Sequence, residues 1–137
     1  MPFAIVGVIA VVMYNVPTAR ETRARAMAAD PLVMEGREIA EFPAAERLGE
    51  CDYSEKGPTQ RLYECKYVTK ASLDQLRQFY GGELEKRGWT PSHASVRFAN
   101  WCKNGQRATI EYAFDPASSW RYALSFSVGV PPYGCGV

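Results

Sequence analysis

Histidine is almost missing from this chain of 137 residues, and its cysteines form no close pair. The only histidine is His93, and no Cys-x-x-Cys occurs among the four cysteines, Cys51, Cys65, Cys102 and Cys135. Zinc sites need closely spaced Cys and His ligands, and reactive thiols usually occur as a close pair or at a helix N-terminus. We therefore expect neither a metal nor a cofactor.

An excess of charge of either sign is also lacking. The 16 basic and 15 acidic side chains give a formal net charge of +1. A protein that binds a phosphate backbone needs a concentrated basic surface, so we expect no nucleic-acid partner. Repeats and polar low-complexity segments are missing too, and the length corresponds to one domain with appendages.

Recognisable catalytic motifs are missing as well. Ser92 and His93 are adjacent, but a triad is defined by geometry and not by adjacency. The pair Gly81-Gly82 lies inside a helical pattern without a following Lys-Ser or Lys-Thr, so it is not a phosphate-binding loop. Acidic residues near the first predicted hairpin are interpreted as solvated strand positions: Asp52, Glu55 and Glu64. We therefore expect a protein that is not an enzyme.

What the chain does contain at its start is an uncharged apolar run, Phe3–Val16. A helix over this run alone rises only about 21 Å, and extension to Ala19 brings it near the lower limit for a hydrocarbon core of about 30 Å. Pro17 interrupts any small-x-small cleavage site. We predict an uncleaved membrane anchor over residues 1–19 that contacts lipid through residues 3–19. The alternatives are a cleaved signal peptide and a buried core helix.

Two patterns disagree on the orientation of this anchor. Arg20, Arg23 and Arg25 follow the apolar run and no basic residue precedes it, which under the positive-inside rule leaves the rest of the chain in the cytoplasm. Four spaced cysteines after a membrane-targeting segment instead indicate two disulfides in an oxidising compartment. We favour the second interpretation, a single-pass inner-membrane protein whose C-terminal domain is periplasmic.

Residues 20–41 are charged, alanine-rich and interrupted by Asp30-Pro31. Asp30 suits the cap of a helix whose first position is Pro31. We interpret residues 20–41 as a helical stalk outside the core, and leave open whether it is a spacer or contacts a partner. The extracytoplasmic domain is then predicted over residues 42–137.

The segments ERLGECDYS and RLYECKYVT are rich in strand-forming residues and flank a turn at Gly57-Pro58, which predicts a β-hairpin. A hairpin centred on Pro58 places Tyr53 opposite Tyr63. Three further strands follow the helix described below: SVRFANWCK turns at Asn-Gly into RATIEYAF, and WRYALSFSV alternates in polarity. Pairing Tyr112 with Tyr122 aligns the apolar faces of the last two strands.

The same hairpin register places Cys51 opposite Cys65. Directly opposed residues have Cα atoms about 4.5 Å apart, which is within reach of a disulfide. We favour Cys51–Cys65, which leaves Cys102–Cys135 by elimination. Three pairings are possible for four cysteines, so this choice depends on the register of the hairpin.

A helix is predicted to begin at the capping box Ser72-x-x-Gln75. Gly88 suits its left-handed end, and Trp89 can fold back onto the helix. Gly81 and Gly82 each cost about 1 kcal/mol relative to alanine. We interpret this as permitting close packing on a sheet, although only one of the two can lie near the middle of the buried face, and we expect the other to mark a kink. The predicted apolar stripe consists of Leu73, Leu76, Phe79, Tyr80 and Leu84.

The element order ββαβββ predicts an α+β fold, an antiparallel sheet of about five strands with one helix packed on one face, preceded by the N-terminal membrane helix. Aromatic residues that can stack a sugar or a base are assigned mainly to the core of this fold: Tyr53, Tyr63, Tyr67 and Trp101.

Residues 42–130 resemble small bacterial extracytoplasmic or lipoprotein-type domains, which combine a Pro-x-Ala segment with a helix carrying Phe-Tyr-x-x-x-Leu-x-x-x-Gly-Trp. The matching residues are Pro43, Ala45, Phe79, Tyr80, Leu84, Gly88 and Trp89. The resemblance implies an extracytoplasmic location and no catalytic residue, because these positions determine the fold. The chain lacks the lipid-accepting cysteine of the lipoprotein version.

These features predict a non-enzymatic, membrane-anchored accessory or assembly subunit of a larger bacterial envelope complex, with a protein partner. The alternative is a secreted periplasmic binding module that recognises a saccharide or small ligand through exposed tyrosines. An enzyme of unknown reaction is a third hypothesis, and it requires a polar cleft with several titratable groups.

Overall fold

The computed structural model describes residues 16–57, 59–129 and 135. Over these residues the chain forms three helices and seven strands, and it divides after Asp30 into two compact units. The elements are α1 (Ala19–Ala29), α2 (Pro31–Glu38), β1 (Ala45–Arg47), β2 (Asp52–Glu55), β3 (Arg61–Thr69), α3 (Leu73–Lys86), β4 (Thr90–Ala94), β5 (Phe98–Lys103), β6 (Gln106–Tyr112) and β7 (Tyr122–Val128).

The described part of the first unit is α1 with its preceding turn. Thr18 caps this helix, because its hydroxyl oxygen accepts a hydrogen bond from the Glu21 N–H at 3.1 Å. None of the side chains of α1 is buried. Most of the membrane anchor predicted over residues 1–19 lies outside the described residues. None of the described helices combines the length and the apolar character that crossing a bilayer requires.

The second unit is built on one antiparallel sheet, so the predicted α+β class is confirmed. The strand order is β1-β3-β7-β6-β5-β4, and β2 also pairs with β3. The predicted registers are present, since Tyr53 pairs with Tyr63 and Tyr112 pairs with Tyr122. The sheet has seven strands over the described residues, where the sequence predicted about five.

One of the additional strands arises because the first predicted strand is divided. Both β1 and β2 pair with β3, and Gly49 between them has a φ of +68°. A left-handed residue breaks the extended conformation, and glycine adopts it without strain. The Leu48 N–H still donates to the Lys66 carbonyl at 2.8 Å, so the edge remains attached across the interruption.

The other additional strand is β4, at the opposite edge of the sheet. All of its side chains are exposed, and its pairing with β5 is irregular between Pro91 and Ala94. Its sequence, TPSHA, has no apolar alternation, which is why the pattern did not predict a strand. Proline and a bulge at an edge limit pairing with other chains.

Residues 31–38, which we expected in the stalk, form α2 and belong to the core of the second unit. The helix begins at Pro31 as predicted and packs against β7 and β3. Leu32 and Val33 are fully buried, and Ile39 just after the helix is also buried. Two helices therefore cover one face of the sheet, where the sequence predicted one.

The helix α3 follows its predicted signals closely. The Ser72 capping box is complete, Gly88 has a φ of +89°, and the Trp89 N–H donates back to the Leu84 carbonyl at 3.1 Å. This arrangement is a Schellman motif. Trp89 is buried and meets the Phe126 ring edge-on.

Of the two glycines in α3, only Gly81 faces the sheet. A Cβ atom on Gly81 would stand 3.4 Å from Cζ2 of Trp101, whereas a Cβ on Gly82 would meet nothing within 4 Å. The interpretation of close packing is therefore confirmed for Gly81. Gly82 is the glycine expected away from the buried face, and the helix continues through it from Leu73 to Lys86.

Both predicted disulfides are present. Cys51 is bonded to Cys65 with Cα atoms 4.3 Å apart, and Cys102 is bonded to Cys135 with Cα atoms 5.4 Å apart. The first bridge ties the interrupted edge of the sheet to β3. The second bridge ties Cys135 to β5. Cys102 lies opposite Arg107 of β6, on the face of the sheet that points away from α2 and α3.

Candidate functional site

The Ser92-His93 pair lies on the exposed edge strand β4. The Ser92 hydroxyl is hydrogen-bonded to Nδ1 of His93 at 2.9 Å, and both side chains are exposed. Among the described residues, no group of three or more His, Cys, Asp or Glu side chains is arranged to hold a metal ion.

The aromatic residues considered for stacking a ligand lie in the core. Tyr53, Tyr63 and Tyr67 are buried, and Trp101 is buried beneath α3. The assignment of these aromatic residues to the core is therefore confirmed, because their rings are covered by the protein itself. The helix residues Tyr80 and Leu84 are fully buried, and Phe79 is half-buried against Phe42.

A hydrogen-bonded group of tyrosines connects α3 to the sheet. The hydroxyls of Tyr80 and Tyr122 are 2.7 Å apart, and the Phe42 N–H donates to the Tyr80 hydroxyl at 3.1 Å. Tyr67 stacks on Tyr122 with ring centroids 4.8 Å apart. Burial raises the pKa of Tyr67, Tyr80 and Tyr122, so all three remain protonated.

A cavity of about 280 Å³ lies between α2 and the sheet, close to these tyrosines. The Glu41 carboxylate also lines this cavity and raises the pKa of Tyr67, although burial is the larger cause. Arg47 Nη1 lies 3.6 Å from Cys51 Sγ at the border of the cavity. The polar side chains lining it are Arg37, Glu41, Arg47, Tyr63 and Tyr67. Because Tyr63 and Tyr67 are buried side chains of the core, we interpret this space as part of the fold.

A larger cleft, of about 620 Å³, lies between the N-terminal turn of α3 and the connection from β4 to β5. We call it the α3–β5 cleft. The side chain of Tyr112 fixes one wall, because its hydroxyl donates to the Ala71 carbonyl at 3.0 Å. The cleft is lined by Ser72, Leu73, Asp74, Arg77, Ala94, Ser95, Val96, Tyr112 and Phe114.

The rim of the α3–β5 cleft is apolar and exposed. Val96 is 78% exposed and Phe114 is 52% exposed. They are two of only five large apolar side chains that are exposed within the described residues. Exposed apolar side chains that gather at one cleft are typical of a binding surface.

Arginine dominates the charge around this rim. The Arg97 guanidinium lies 6.0 Å from the centroid of the Phe114 ring, and Arg77 Nη2 donates to the Phe98 carbonyl at 3.2 Å. Asp74 is the acidic residue of the lining, and its Oδ1 lies 3.8 Å from Nη1 of Arg77. A ligand in the cleft therefore meets an apolar wall flanked by two cations.

The sequence pattern does not predict this cleft. Val96 falls in a segment read as continuous strand, yet residues 95–97 form the turn between β4 and β5. The Ser95 hydroxyl accepts hydrogen bonds from the N–H groups of Arg97 and Phe98, which stabilises that turn. Ser95 followed by Val96-Arg97 was the available signal, since serine often stabilises turns in this way.

The chain matches no protein-family model, and no curated protein or solved structure matches it. Its function is therefore inferred from the geometry of its own residues.

Proposed function

We propose that the protein is a non-enzymatic accessory or assembly subunit of a bacterial envelope complex, and that it docks a partner protein in the α3–β5 cleft. The observation that carries this proposal is the exposure of Val96 and Phe114 at the rim of one cleft. Burying such side chains contributes roughly 1.5–3 kcal/mol each, so a partner gains from covering them together.

The charges around the cleft define the kind of partner segment that fits it. Arg97 and Arg77 flank the apolar wall, while Asp74 is already close to Arg77. A segment that inserts an apolar side chain and carries acidic residues beside it satisfies both features. We therefore propose an apolar anchor with an acidic flank as the recognised element.

The proposed location is the periplasmic side of the inner membrane. The two disulfides support an oxidising compartment for residues 42–137. In this proposal residues 3–19 contact membrane lipid as a single-pass anchor, and the resemblance to bacterial extracytoplasmic domains agrees with that location. Thiol labelling in the native host tests it: four thiols should react only after reduction, and reaction of all four beforehand contradicts it.

Docking is tested by purification from the native host after mild detergent extraction. We expect a partner to co-purify with the unchanged chain and to be lost from V96E and F114E. L48E is the matched control, because Leu48 is also an exposed apolar residue but lies between β1 and β2 at the other edge of the sheet.

Two outcomes contradict the docking proposal. The first is a chain that always elutes alone as a monomer. The second is a partner that remains bound to V96E and F114E but is lost from L48E, which would move the interface to the edge formed by β1 and β2.

A further inference from the structure

The helix α1 consists of eleven residues, and none of their side chains is buried. It begins at its own cap, Thr18, and residues 16–18 are not helical. A helix shorter than about 12–15 residues is only marginally stable in water, because most helical stability in proteins comes from packing of one face. The described residues bury no face of α1, so a surface outside them would stabilise it.

The faces of α1 differ in charge. Residues three and four apart are neighbours on a helix, so Arg20, Arg23 and Met27 share one face. Met27 is the only large apolar side chain of α1, and it is half-buried. Glu21 and Arg25 share a different face, at a spacing where opposite charges offset each other. We call the first face the basic face, because it carries two cations and no carboxylate.

The basic face begins where the proposed membrane anchor ends. Arg20 directly follows residues 1–19, and consecutive Cα atoms are only about 3.8 Å apart, so an anchor there holds Arg20 at the level of the lipid headgroups. Val16, just before the cap, is an apolar side chain that is 70% exposed. The next acidic residue after α1 is Asp30, which is only 5% exposed and therefore opposes such a contact little.

From these features we propose that α1 lies along the membrane surface and binds anionic phospholipids through its basic face. The guanidinium groups of Arg20 and Arg23 contact lipid phosphates, since arginine forms paired, charge-assisted hydrogen bonds with phosphate oxygens. Their apolar stems and Met27 point toward the boundary of the acyl chains.

The anchor makes this weak contact effective. One methionine is too little apolar surface for a helix to bind a membrane by itself, but a neighbouring anchor keeps α1 at a high local concentration beside the lipid. The inference therefore rests on the anchor of the proposed function. It does not depend on docking of a partner in the α3–β5 cleft.

The contact is tested by hydrogen exchange of the full, oxidised chain in phospholipid nanodiscs. Neutral discs contain phosphatidylcholine alone, and anionic discs contain equal parts of phosphatidylcholine and phosphatidylglycerol. Each basic side chain near an anionic surface strengthens binding about fivefold, so two should slow exchange of the α1 amides by up to about 25-fold in the anionic discs. High salt should reduce this slowing, because it screens exposed charges.

Three single variants then test the basic face. R20Q and R23Q should each reduce the slowing about fivefold, since each removes one cation from that face. R25Q is the matched control: it removes the same charge from the same helix, but from the face that also carries Glu21, and it should behave as the unchanged chain does. Glutamine and arginine have similar helix propensities, so none of the three disturbs the helix itself.

The proposal is overturned if α1 exchanges equally fast in both kinds of disc, or if R25Q loses as much of the slowing as R20Q and R23Q. It is also overturned if inorganic phosphate added to neutral discs slows exchange as much as phosphatidylglycerol does. A chain that enters neither kind of disc contradicts the anchor, and this contact with it. None of these results bears on V96E and F114E, so failure of the lipid contact is distinguishable from failure of partner docking.

Discussion

Gly36 of α2 lies so close to Phe126 of β7 that a Cβ atom on the glycine would stand 2.8 Å from ring carbon Cδ2. The Tyr63 ring lies 3.2 Å from the same point. Two aromatic rings of the sheet therefore set the distance at which α2 packs, and only a residue without a side chain permits it. This relationship makes α2 part of the core and not part of a stalk.

We predict that G36A destabilises the protein by about 1–3 kcal/mol, because the added methyl group forces a shift of buried rings. G82A is the matched control: Gly82 also lies in a helix, but its Cβ position is open, so alanine should stabilise by about 0.5–1 kcal/mol. Urea unfolding of both variants gives the comparison. A neutral G36A would show that α2 can move away from the sheet at no cost.

Removing the Tyr80 hydroxyl should lower the stability of the fold more than removing the Tyr122 hydroxyl does. Y80F leaves both the Phe42 N–H and the Tyr122 hydroxyl without their partner, whereas Y122F leaves Tyr80 still bonded to Phe42. Each buried group left unpaired costs about 1–3 kcal/mol. Thermal unfolding of the two variants measures the order, and equal losses would mean that the Phe42 hydrogen bond contributes nothing.

The two disulfides should contribute unequally to stability. In the chain-entropy view a cross-link stabilises more when it closes a longer loop, which gives about 3 kcal/mol for Cys51–Cys65 and about 4 kcal/mol for Cys102–Cys135. Their sequence separations are 14 and 33 residues. We expect the pair C102A/C135A to lose more stability than C51A/C65A in urea unfolding. The reverse order would indicate that the first bridge mainly holds the interrupted edge in place.

Local signals in the sequence predicted much of the fold. The hairpin pairings of Tyr53 with Tyr63 and of Tyr112 with Tyr122 follow from turns and alternation, and the ends of α3 follow from Ser72 and Gly88. Each of these depends on residues that are close in the chain. The disulfides followed from one such register and from elimination.

Pairings between distant segments could not be predicted in the same way. The pairing of β3 with β7 is an example, because Glu64 lies opposite Ser125 although 61 residues separate them in the sequence. No local pattern encodes that contact. Likewise, α2 buries little more than Leu32 and Val33, too few apolar positions for eight residues to show a helical stripe.

Stability should fall as pH rises through the titration of Glu64. Burial raises the folded-state pKa of this carboxyl above its ordinary value, while Lys66 opposes the shift and Glu111 and Asp52 add to it. The folded state therefore binds more protons than the unfolded state between the two pKa values, and ionisation at higher pH favours unfolding.

E64Q removes the ionisation, so we expect it to be more stable than the unchanged chain at pH 7. At a pH below the unfolded-state pKa the two should differ little. E85Q is the control for loss of a carboxylate, because Glu85 is exposed on α3, away from Glu64. Urea unfolding across this pH range measures the difference, and an E64Q variant whose advantage is greatest at low pH would contradict the assigned direction.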